Sequence, residues 1–122
     1  MNIEQFRDYC LEKPETTEAT PFDENTLVFK VAGKIFAITD MAEVDFKVNL
    51  KSDPEKAIEL REKYDEVQPG YHMNKKHWNT VSFDGSLSIK LLKEMIDESY
   101  LLVLQSLKKA DRERIKALLD GK

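Results

Sequence analysis

The stretch Thr26-Leu27-Val28-Phe29-Lys30-Val31-Ala32-Gly33-Lys34-Ile35-Phe36-Ala37-Ile38-Thr39 decides the fold. On either side of Gly33 the side chains alternate with a period of two, the pattern of a β-hairpin closed by a two-residue turn containing glycine. The turn is either Ala32-Gly33 or Gly33-Lys34. Both registers put Leu27, Phe29 and Val31 on the face that carries Phe36 and Ile38, with Lys30 on the opposite face. Residues 44–51 repeat the alternation: Val44, Phe46, Val48 and Leu50 point to a core, while Asp45, Lys47, Asn49 and Lys51 point to water. Residues 77–83 read as a further strand in which Val81 and Phe83 oppose Trp78, Thr80 and Ser82, closed by Asp84-Gly85. Strands with one apolar and one polar face belong to an antiparallel sheet covered on one side.

The cover is helical. Ile3, Phe6, Tyr9 and Cys10 recur at helical spacing after an Asn2 cap and stop before Pro14. Ser52 and Glu55 form a capping box with Pro54 in the first turn, and Ala57, Leu60, Arg61 and Tyr64 share a face. From Ser86 or Ser88 to about Leu107, a stripe of Leu92, Met95, Ile96, Ser99, Leu102, Val103 and Ser106 predicts the central packing helix. Asp111 caps a last short helix bearing Ile115, Leu118 and Leu119 and ended by Gly121. Residues 15–25 and 65–76 read as connections, the second with a Pro69-Gly70 turn. The expected fold class is α+β, a two-layer sandwich of a mostly antiparallel sheet with helices on one face.

The chain has 122 residues, enough for one domain spanning 1–122. One cysteine excludes an internal disulfide framework, and the N-terminus lacks the basic and apolar regions of a secretory signal, so a cytoplasmic location is expected. The longest apolar run, residues 100–104, is far short of the roughly 20 needed to span a bilayer, so no membrane association is expected. A net charge of −4 argues against a generic polyanion binder. The charge is uneven: residues 1–25 hold seven acids against Arg7 and Lys13, whereas the tail at 108–122 holds six bases against three acids.

The inventory of reactive groups is thin. Four glycines at 33, 70, 85 and 121 are too scattered for a phosphate-cradling loop. One cysteine and two histidines fall short of a zinc ligand set. Cys10 lies on an apolar helical stripe with nothing beside it to activate a thiolate. No cofactor, metal site or enzymatic activity is expected. The acidic first segment, Glu4, Asp8, Glu12, Glu15 and Glu18, reads as solvated surface in preference to a cation site.

The unusual segment is Pro69-Gly70-Tyr71-His72-Met73-Asn74-Lys75-Lys76-His77-Trp78-Asn79-Thr80-Val81. It gathers rings, amides and cations more densely than a connection requires. Lysine and asparagine bind phosphates and base edges, and tyrosine and tryptophan stack on unpaired bases. Trp78 has packing, and Tyr71 loop pinning, as the alternative role.

At these residues the chain resembles the MmcQ/YjbR family of small bacterial proteins. The similarity is carried by Pro21-Phe22-Asp23-Glu24-Asn25-Thr26-Leu27-Val28-Phe29-Lys30-Val31, by Val48-Asn49-Leu50-Lys51 with Asp53-Pro54-Glu55, by the 69–81 segment, and by Ile96-Asp97-Glu98-Ser99-Tyr100. The resemblance implies a CyaY-like α+β fold and a role in DNA binding through a double-wing arrangement. Mapped onto this sequence, the family's signature positions are Tyr71, His72, Asn74, Lys75, Lys76, His77, Trp78 and Asn79, with Asn49 and Lys51 on the strand. Departures are the Ser88-Ile89-Lys90 start of the long helix and the basic tail.

Two functions are expected to compete. In the first, a non-enzymatic module contacts the DNA backbone through residues 71–79 and the outer-strand positions Lys30, Lys47, Asn49 and Lys51, assisted by Arg112, Arg114 and Lys116. In the second, the same loop and Trp78 form a recess for a protein partner or small polar ligand. A contiguous basic sheet face favours the first, and a face of mixed charge the second.

Overall fold

In the computed structural model, which describes residues 1–121, the hairpin forms as strands β2 (Thr26–Val31) and β3 (Lys34–Asp40). The full order of elements is α1 (Ile3–Leu11), β1 (Thr16–Ala19), β2, β3, β4 (Lys47–Lys51), α2 (Pro54–Lys63), β5 (Val67–Pro69), β6 (Trp78–Ser82), α3 (Ile89–Gln105) and α4 (Lys109–Asp120). Val31 pairs with Lys34, so the turn is Ala32-Gly33. Both turn residues have positive φ, 46° and 87°, as a hairpin turn matched to strand twist requires. The six strands form one antiparallel sheet in the order β1-β2-β3-β4-β6-β5.

A bulge corrects the expected facing of the hairpin. Phe29 pairs with Ala37 but Lys30 pairs with Ile35, which leaves Phe36 as the extra residue on β3. Phe36 and Ala37 both turn inward and are fully buried. Ile38 is displaced to the outer face, opposite Val28, and does not join the core as the uninterrupted alternation predicts. Ser99 on α3 repairs the interruption: its hydroxyl donates to the Phe36 carbonyl and accepts the Lys51 N–H at 2.8 Å.

Other expectations shift at their ends. The strand predicted over residues 44–51 begins at Lys47; Val44 is fully solvent-exposed and Phe46 only half-buried, while Val48 and Leu50 are core. Asp53, not Ser52, caps α2, by accepting the Lys56 N–H. Lys108, without a side-chain bond, precedes α4, and Asp111 sits in its first turn. Two short strands lie in the segments read as connections, β1 at one sheet edge and β5 at the other. Lys122, the last residue of the basic tail, lies outside the described residues.

The helices cover the inner face. Phe6 of α1 packs edge-to-face on Phe29 and Phe83, and Tyr100 of α3 on Phe36. Each fully buried ring contributes about 1.5–3 kcal/mol of transfer free energy. Tyr100 keeps its hydroxyl satisfied by donating to the Pro14 carbonyl at 2.7 Å, and burial pushes its pKa up to about 12. Ile115 anchors α4 in the same core, and a Glu15–Arg114–Asp111 cluster ties that helix to the turn before β1. Among the described residues no helix is long and apolar enough to cross a membrane.

Candidate functional site

With all helices on the inner face, the outer face of β3, β4, β6 and β5 is left as the floor of a groove. Antiparallel register places Ile38, Asn49, Thr80 and Gln68 in one row across those strands. Lys47 and Ser82 form the next row. Loops raise the walls: Phe22 from the β1–β2 connection on one side, and Tyr71, His72 and Met73 from the β5–β6 connection on the other. The groove holds about 690 Å3, within the range of small-molecule sites. Phe22 and Tyr71 are 68% and 65% exposed, unusual for rings of that size unless something covers them.

The wall carrying Tyr71 is fixed from beneath. The Gly70 N–H donates to the Trp78 carbonyl at 2.9 Å, and a Cβ on Gly70 would lie 2.9 Å from Trp78 and 3.0 Å from Met73, so glycine is required. The Tyr71 N–H donates to Thr80 Oγ1 at 2.9 Å. Thr80 in turn donates to Asn49 Oδ1. That relay engages the Asn49 amide oxygen, and the amide nitrogen of this groove-lining residue has no partner among the described residues. His72 holds φ at 58°, and its ring lies tilted against that of Tyr71 with centroids 4.0 Å apart, a strained backbone of the kind found at ligand sites.

The residues expected to bind divide into two groups. Tyr71, His72, Lys47 and Asn49 meet in the groove. Lys51 and Trp78 pair across β4 and β6 on the same face, with Trp78 half-buried at the rim. Lys30 is on that face too, but two strands from β4, roughly 10 Å sideways. Lys76 is exposed on the loop and His77 half-buried.

The others hold the loop together. Asn79 is 2% exposed on the inner face, where Arg61 Nε donates to its Oδ1 at 2.6 Å and its Nδ2 donates to the Ala57 carbonyl at 3.3 Å. Arg61 also donates to the carbonyls of Lys75 and Trp78. Asn74 accepts the Lys76 N–H, and Lys75 Nζ donates to the Gly70 carbonyl at 3.1 Å. Asn74 and Asn79 are thereby occupied as structural groups, and Lys75 is tied down. In the tail, Arg114 is neutralised by Glu15 and Asp111, which raise its pKa, and Arg112 donates to the Leu107 carbonyl. The tail packs on α3, in the layer behind the groove.

Sequence reasoning missed Phe22, Ile38, Met73, Asp40, Glu43 and Arg61. Phe22 carried a signal, a large ring isolated in a polar connection. The rest depend on the bulge, the loop closures and the packing of α2. Asp40 and Glu43 line the groove beside Lys47, so its charge is mixed and not contiguously basic. Among the described residues no three His, Cys, Asp or Glu side chains gather as a ligand set. Cys10 is fully buried, and that burial pushes its thiol up to about 12.

Comparison with known proteins agrees with the geometry. The YjbR family model matches residues 11–102. The chain is 41% identical to the uncharacterised protein YbdF of Escherichia coli O157:H7 over 108 residues, 88% of each chain. It is 36% identical to YjbR of Escherichia coli K12 over 82% of this chain and 85% of that one. The crystal structure of Deinococcus radiodurans protein DR2400 superposes with a TM-score of 0.87 at 40% identity, covering 94% of this chain and 88% of its own. A crystal structure of a Pseudomonas syringae protein follows with a TM-score of 0.73 at 31% identity, over 84% and 98% of the two chains. A family model spanning most of the sheet and α3, together with relatives of this identity and coverage, shows that the chain belongs to the YjbR family.

Proposed function

We propose that this protein is a non-enzymatic binding module that takes a small polar ligand with an apolar or aromatic body in the outer-face groove. The observation that carries this reading is the Tyr71–Thr80–Asn49 relay on the floor of a groove lined also by two exposed rings, Phe22 and Tyr71, with the Asn49 amide nitrogen unpartnered among the described residues. Buried sites that bind small molecules combine apolar walls with a few oriented polar groups in this way. The test is an amide-resolved NMR titration with a library of small aromatic acids, amines and amides. Saturable shifts at Asn49, Thr80 and Tyr71, lost in Asn49→Leu, are expected. Shifts confined to other surfaces, or none at all, would overturn the reading.

A second reading, contact with the DNA backbone, is favoured by one observation: Lys30, Lys47, Lys51 and Lys76 make no ion pair among the described residues. Against it stand Asp40 and Glu43 beside Lys47 and the tying down of Lys75, Arg112 and Arg114. Phosphate contacts predict affinity that falls steeply with salt. Fluorescence anisotropy with labelled single- and double-stranded oligonucleotides decides it: no saturable binding at micromolar protein, or a Lys47→Ala, Lys76→Ala variant binding as well as the parent, removes this reading.

A further inference from the structure

Asp40 and Lys47 occupy positions that a continuous sheet would make neighbours. The β3–β4 register, Ala37 with Leu50 and Ile38 with Asn49, extrapolates to Asp40 opposite Lys47. Residues paired like this lie about 5 Å apart at Cβ and normally form an ion pair when oppositely charged. No such pair is present among the described residues. Instead the ladder stops: Thr39 Oγ1 donates to the Lys47 carbonyl at 2.7 Å, taking the place of a backbone bond, and the strands part. Asp40 Oδ1 is occupied by the Ala42 N–H at 2.9 Å, which orients the carboxylate. Glu43, whose side chain makes no hydrogen bond or ion pair among the described residues, completes the acidic end. One groove thus presents the carboxylates of Asp40 and Glu43 and, in the same lining, Lys47 and Asn49, with no ion pair between them among the described residues.

We infer that the groove selects an amphoteric ligand, a molecule of the free amino-acid or short-peptide class with an apolar side chain. Its ammonium group lies toward Asp40 and Glu43, its carboxylate toward Lys47 and Asn49, and its side chain against Phe22 and Tyr71. A ligand bearing only one charge leaves the opposite end of the groove without a partner and loses that share of the affinity. This inference rests on the groove reading above, and it goes beyond it by naming the ligand class.

The test uses three probes with the same phenyl body: L-phenylalanine, 2-phenylethylamine and 3-phenylpropanoate. Each is titrated into the full chain while the amides of Asn49, Thr80 and Tyr71 are followed by NMR. The expected result is that L-phenylalanine binds at least about ten-fold more tightly than either singly charged probe. In Lys47→Met, whose exposed side chain is outside the core, L-phenylalanine should fall to the affinity of 2-phenylethylamine. In the Asp40→Asn, Glu43→Gln double variant it should fall to that of 3-phenylpropanoate. If a singly charged probe shifts the same amides with equal affinity, the amphoteric inference is overturned and the groove reading stands. If none of the three moves those amides at 10 mM, on the order of the weakest affinities such a titration reads, the inference is overturned; the wider library then decides the groove reading separately.

Discussion

Replacing Asn79 with alanine separates a structural amide from a ligand contact. The side chain accepts a bond from a charged guanidinium at 2.6 Å and donates one to a helix carbonyl at 3.3 Å, in a place 2% exposed. A buried hydrogen bond to a charged group contributes about 1.5–3 kcal/mol and a neutral one about 1 kcal/mol, so the expected loss is about 3 kcal/mol. Unfolding entropy of about 2.1 cal/mol/K per residue gives roughly 0.26 kcal/mol/K for a chain of this length, and hence a Tm lowered by about 12 °C. Differential scanning calorimetry measures the shift. A double-mutant cycle with Arg61→Met isolates the pair, because Arg61 also binds the Lys75 and Trp78 carbonyls and so carries loop order into the same network. A coupling of 1 kcal/mol or more, on the order of one such bond, is expected. A Tm within 4 °C of the parent, well under the figure worked above, together with additive single effects, would refute the structural assignment of Asn79.

Three further outcomes follow from the same coordinates. Ser99→Ala strands both the Phe36 carbonyl and the Lys51 N–H in a fully buried place, so chemical denaturation should show about 2–4 kcal/mol less stability; a loss under 1 kcal/mol would mean the bulge is repaired otherwise. Hydrogen bonds from Arg7 hold the Glu18 carboxyl below its ordinary value, and Arg114 does the same for Glu15. Because the folded value lies below the unfolded one, near 4.3, this stabilisation is complete above about pH 4.3 and disappears as pH falls through the folded value. Melting from pH 7 to pH 3 should therefore fall less steeply below pH 4.3 in Glu18→Gln, and an unchanged slope refutes the assignment. Native protein at pH 8 should leave Cys10 unlabelled by a thiol reagent, with one equivalent reacting after denaturation in urea; stoichiometric labelling of the folded chain would contradict its burial.

The α+β class was legible because most strand residues obey a period of two and α3 a period of 3.6. Val48, Leu50, Val81 and Phe83, and Leu92, Met95, Ile96, Ser99 and Val103 on α3, bury as their spacing dictates, whereas Leu102 on the predicted stripe is only half-buried and Ser106 is exposed. Periodicity failed where it was interrupted or too short to register. Thr16–Ala19 carries no large apolar residue: at this sheet edge Thr16 and Glu18 are only half-buried and Thr17 and Ala19 are exposed. A single extra residue at Phe36 reverses the facing of Ile38, and nothing in the side chains of the hairpin announces it. For the site, the density of rings and amides at 69–81 located one wall of the groove. It could not tell Asn79, held on the inner face, from Asn49, held on the outer, because the pleat and not the residue type decides which one meets water.

That distinction recurs among the polar side chains at the centre of the sheet, while at its edge the buried Thr16 Oγ1 has no partner among the described residues. On the inner face Asn79 and Ser99 have donor and acceptor both engaged, and Thr39 donates where the β3–β4 ladder parts; each takes up a backbone or cationic partner that the interrupted strand pairing leaves over. On the outer face the sequence of bonds ends differently. Thr80 is engaged on both sides, by the Tyr71 N–H and by Asn49 Oδ1, so the chain of donors terminates at the Asn49 amide nitrogen. A donor already held in one orientation loses less entropy on binding a ligand, and Asn49 shares its groove lining with Lys47, Asp40, Phe22 and Tyr71. The hydrogen bonds therefore separate polar groups that complete the fold from Asn49, whose amide nitrogen has no partner among the described residues.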